Sequence, residues 1–92
     1  MNTQDLLKEE RSIWGNKKQT LDHIVICMGK PYGDICKQVR SKIETGNFDE
    51  NELKKELGNT VASTIRFIDD LGYDVDECIG LALDSQRAYK RQ

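Results

Sequence analysis

The stretch "MGKPYGD", residues 28–34, sets Lys30, Pro31 and Asp34 within one helical turn of each other, inside a segment whose apolar rhythm otherwise calls for helix formers. A cation and a carboxylate at i, i+4 share one helical face and can pair. Upstream, His23 and Cys27 stand at the same spacing. His23 reads as a partly exposed helix residue and Cys27 as a partly buried thiol, with a Cys–His nucleophilic pair as the catalytic alternative. Cys27, Cys36 and Cys78 match neither a zinc site nor a disulfide framework, so reduced thiols are expected, with Cys36 and Cys78 packing in a core or an interface. The adjacent acids Asp69 and Asp70 point about 100° apart on a helix and read as a solvated edge rather than as a metal site.

These groups need elements to position them. Leu6, Leu7, Ile13 and Trp14 form a rough helical stripe over residues 3–14, ended by "GNKK". Trp14 is placed to anchor this short helix on the rest of the chain or on a second subunit, with an exposed partner surface as the alternative. Thr20 can cap a second helix, in which Leu21, Ile24, Val25, Met28, Tyr32, Ile35, Val39 and Ile43 recur at spacings of three and four. The stripe keeps its phase across Pro31. That continuity predicts one bent helix, or two stacked end to end, since Pro removes one hydrogen bond and kinks the axis. Asp49 with Glu52 opens a third helix carrying Leu53, Leu57, Val61, Thr64, Ile65, Ile68 and Leu71, closed by Gly72. Asp74 with Glu77 opens a fourth with Val75, Cys78, Ile79, Ala82 and Leu83. No strand alternation occurs, so the expected fold class is all-α. A single domain over residues 1–92 is expected, with the two central helices antiparallel through "TGNFD".

At 92 residues the chain can bury only about 60% of its unfolded surface, which predicts a small core completed by a homodimer. A net charge of −2 with interleaved acids and bases gives no field for DNA or RNA. No window reaches the roughly 18 apolar residues of a membrane span, and "MNTQDLLKEERS" lacks a signal core; a cytoplasmic protein is expected, with no membrane partner.

The succession of "GKPYGD", "ELKKELGN" (residues 52–59) and "DLGYDVDE" (residues 70–77) resembles the MazG-like all-α nucleotide pyrophosphohydrolases, over roughly residues 20–90. The resemblance implies a MazG-like helical bundle and a carboxylate cluster, Glu-Glu-x-x-Glu on one helix and Glu-x-x-Asp on the next. That cluster surrounds Mg²⁺ with hard oxygen ligands and activates water against a triphosphate. Laid on this chain, the first motif falls on Lys30, Pro31 and Asp34 and the second on Glu56 and Asn59. Asp34 and Glu56 opposed by Lys30 leave a local charge of −1, where five acids would give −5. An ammonium here, paired with Asp34 or reaching Glu56, would occupy the volume of the metal.

The expectation is therefore a non-catalytic MazG-like protein with a degenerate metal motif, a regulatory or inhibitory pseudoenzyme that binds a protein partner or a nucleotide and needs no cofactor. The alternative is a Mg²⁺-dependent pyrophosphohydrolase of noncanonical nucleoside triphosphates. Its metal would lie on Asp34, Glu56 and Asn59, or on a shifted site using Glu44 or Asp49. By the same resemblance the basic tail with Gln86, Arg87, Lys90 and Arg91 suits nucleotide phosphates, where an Arg binds as a fork and a Lys as a point charge. Ordinary complementation of the helix dipole explains the same charges.

Overall fold

The structure, a computed structural model, describes all 92 residues. Four helices make up the chain: α1 (Thr3–Trp14), α2 (Leu21–Thr45), α3 (Glu50–Asp70) and α4 (Val75–Lys90). The fold is all-α.

Each helix starts where a short polar side chain catches a free backbone N–H. Asn2 Oδ1 accepts from Asp5 N at 2.8 Å, Thr20 Oγ1 from His23 N at 3.3 Å, Asp49 Oδ1 from Glu52 N at 3.1 Å and Asp74 Oδ2 from Glu77 N at 2.9 Å. Gly46 ends α2 in the left-handed region at φ 78°, where a side chain is strained. Pro31 does not divide α2. The helix runs through it over 25 residues because the missing N–H costs one rung while both flanks keep their ladders.

A four-residue connection, 46–49, folds α3 back along α2, and Gln38 Oε1 holds the turn by accepting from Asp49 N at 2.9 Å. α1 lies along the C-terminal half of α3 and runs against it. Thr3 hydroxyl donates to Asp76 of α4 at 2.7 Å, while Glu10 reaches Arg66 and Arg11 reaches Asp69 and Asp70, so the start of α1 lies beyond the end of α3 and its later turns lie alongside α3.

The apolar core of the single chain is small: Ile24, Ile65, Phe67 and Val75. Most of the stripe that periodicity assigns to a core stays open, including Leu21, Val25, Met28, Tyr32, Val39 and Ile43 on α2 and Leu57 and Val61 on α3. The whole chain is correspondingly extended. Its accessible surface is 7227 Å², whereas a compact monomer of 10.6 kDa exposes about 5,500 Å². Its radius of gyration is 15.5 Å against about 12.3 Å for a compact domain of this length. Cys36 is exposed, so it packs in no core of this chain; Cys27 and Cys78 are half-buried, and all three thiols are free.

Candidate functional site

The three helices α1, α2 and α3 enclose a cleft of about 550 Å³. α2 contributes His23, Cys27, Lys30 and Pro31, α3 contributes Glu56, Asn59, Ala62, Ser63, Arg66 and Phe67, and α1 adds Glu10, Ile13 and Trp14. Four of the five motif positions, Lys30, Pro31, Glu56 and Asn59, therefore meet in one place. Asp34 does not join them. Its carboxylate lies 3.5 Å from both Lys30 Nζ and Lys37 Nζ along α2. Its partial burial raises the Asp34 pKa, but the two ammonium groups outweigh burial and hold it below the ordinary carboxylate value.

Glu56 is the one motif carboxylate facing the cleft. Although enclosed, it has only long partners, Asn59 Nδ2 at 3.4 Å and Lys55 Nζ at 3.5 Å on the same Oε1. Lys55 is held up above its ordinary pKa, first by its hydrogen bond to Glu52 at 3.0 Å and, against the opposing effect of burial, by the charges of Glu52 and Glu56. Magnesium takes hard oxygen donors in near-octahedral array. With Asp34 committed to two lysines and Pro31 without a donor, the residues of one chain do not fit that demand, and no three acidic, His or Cys side chains converge where a metal could sit. The shifted donors are committed elsewhere, Glu44 to Arg40 at 2.9 Å and Asp49 to the α3 cap. His23 is exposed on the cleft rim beside half-buried Cys27.

Arg87 and Lys90 lie away from this cleft. They line a shallow groove on α4, and Arg87 pairs with Asp84 at 3.2 Å.

Two other enclosed polar groups of the cleft, Glu10 and Arg66, are ones the sequence reading passed over. Glu10 Oε1 accepts from Arg66 Nε at 3.1 Å, each side chain being 9% exposed, and the Arg66 guanidinium lies over two rings, 4.9 Å from the Trp14 centroid and 4.7 Å from that of Phe67. A sequence signal for Glu10 existed: it stands at i+3 and i+4 from Leu7 and Leu6, and at i−3 and i−4 from Ile13 and Trp14, on the inward stripe of α1. Trp14 itself remains 63% exposed, so its contribution to docking α1 is the face it offers Arg66 rather than deep burial.

Asp69 and Asp70 are not the solvated edge their spacing suggested. Arg11 donates to both, at 2.6 and 2.5 Å, Lys18 reaches Asp69 at 3.0 Å, and the Asp70 side chain is fully enclosed with Oδ2 lacking a partner. The acids face inward because α1 brings Arg11 across the end of α3. Hydrogen bonds from Arg11 and then Lys18 hold Asp69 below its ordinary pKa against burial. Burial lowers the Arg11 pKa, but both aspartates overcome it and raise the value.

Compared with known proteins, the chain matches no family profile, no curated protein and no solved structure.

Proposed function

We propose that this chain is a non-catalytic MazG-like helical protein that assembles as a homodimer and acts by binding a protein partner or a nucleotide. The observation that carries this reading is the chemistry of the α2–α3 cleft. A triphosphate-cleaving site of the resembled type needs several carboxylates aimed at one point. Here the facing motif positions offer Glu56 alone, with Lys30, Pro31 and Asn59 around it and Asp34 drawn off to Lys30 and Lys37. Such a cleft binds and orients polar groups without concentrating the negative charge that would hold Mg²⁺.

The surface supports the dimer. An excess of roughly 1,700 Å² per chain over a compact monomer corresponds, for two chains, to the area of an obligate interface. The open apolar stripes of α2 and α3 suit a four-helix core made with a second copy.

Pyrophosphate release from a panel of nucleoside triphosphates, with Mg²⁺ or Mn²⁺, tests the non-catalytic role. No turnover above a buffer blank is expected. Turnover that chelator abolishes would replace this reading with a metal-dependent pyrophosphohydrolase.

A further inference from the structure

A guanidinium carries five N–H donors in a rigid plane, and the fold uses one of those on Arg66. Nε is taken by Glu10 and the faces of the group lie against Trp14 and Phe67, while Nη1 and Nη2 donate to no protein acceptor. Neither is sealed away, because the one enclosed side-chain polar atom without a partner is Asp70 Oδ2. Arg66 lines the cleft, so a side chain more than nine-tenths buried presents an unused fork to it.

The charges around the fork favour an anion at the Trp14 end. Glu10 is already matched by Arg66, and Glu56 lies ten residues away, about 15 Å along the α3 axis. On the facing wall Lys30 competes with Lys37 for one carboxylate, Asp34, and its own side chain is 83% exposed and able to turn. Gln19 and Ser63 add neutral donors to the lining.

We propose that Nη1 and Nη2 of Arg66 form an oxyanion site, taking a ligand's carboxylate or phosphoryl group as a bidentate pair, with Lys30 as the second cation. Glu10 and the two rings fix the plane of the fork before the ligand arrives, which lowers the ordering cost of binding. This deepens the binding role proposed above and rests on that reading, yet it fails separately, since it is measured without metal and without turnover.

The test titrates the whole chain, in chelator and at constant ionic strength, with sodium phosphate and separately with sodium acetate. Fluorescence of Trp14, the chain's single tryptophan, and heat of binding are the readouts. A saturable signal at millimolar concentration with either anion is expected, and the anion that saturates identifies the phosphoryl or the carboxylate source. Lys30→Gln should weaken binding about threefold. The paired variant Glu10→Gln with Arg66→Met, which leaves no buried charge unmatched, should abolish it while retaining helical circular dichroism. Absence of saturation with both anions overturns the site, as does unchanged affinity in the paired variant. Should that variant not fold, unchanged affinity in Lys30→Gln overturns it alone.

Discussion

Arg66 Nε and Glu10 Oε1 meet at 3.1 Å across a separation of 56 residues and join α1 to α3 inside the chain's most enclosed polar contact. Removing one member leaves the other charge buried without its partner. Glu10→Leu or Arg66→Met alone should therefore cost about 3–5 kcal/mol, whereas the two together should cost clearly less. Urea unfolding of the four proteins in a double-mutant cycle measures the difference, and additive single costs would contradict the pairing.

Asp69 predicts how stability changes in acid. Its folded pKa is lowered, so its contribution is fully present above the unfolded value of about 3.9 and is lost as pH falls through the lower folded value. Denaturant midpoints should hold between pH 7 and 5 and drop below pH 4. Asp69→Asn should reduce that drop; an unchanged acid limb would show that other carboxylates govern it.

Val39, on the outer stripe of α2, separates a monomer from an assembly. In a lone chain it is exposed, and Val39→Lys would change stability by less than about 0.5 kcal/mol. Within a dimer core the same lysine should dissociate the pair and lower the melting point. Sedimentation at micromolar concentration should give twice 10.6 kDa for the parent and the monomer mass for the variant.

Pro31 interrupts the ladder of an otherwise continuous helix. Pro31→Ala restores an N–H donor for the Cys27 carbonyl and should stabilise the chain by up to about 3 kcal/mol. A fall in the thermal midpoint would show instead that the proline shape is required at the cleft wall.

Restoring acids tests the metal chemistry directly. Lys30→Glu, Pro31→Glu and Asn59→Asp together should produce a self-repelling cluster that Mg²⁺ relieves, making thermal stability metal-dependent. The parent should melt at the same temperature with millimolar Mg²⁺ or chelator. A clear upward shift for the parent would restore the metal-site reading.

The sequence by itself determined the helices and four of the 14 residues that line the cleft. Thr20, Asp49 and Asp74 act on N–H groups three residues away, and Gly46 acts through its own φ, so these boundaries are local and readable from neighbours in the chain. Lys30, Pro31, Glu56 and Asn59 could be brought together because one short turn folds α3 along α2. Tertiary structure decided what lies across from what. Asp70 passes from an apparent solvent edge to full enclosure, and Glu10 becomes the partner of Arg66, only because α1 is set along α3 at one particular stagger and rotation. Asp34 leaves the cleft for the same kind of reason: two lysines on its own helix hold it, and a spacing rule does not say which of several reachable charges wins. Periodicity identifies the apolar face of α2, but the depth of its burial depends on how much of that face α3 can cover, and one 21-residue helix leaves most of it open.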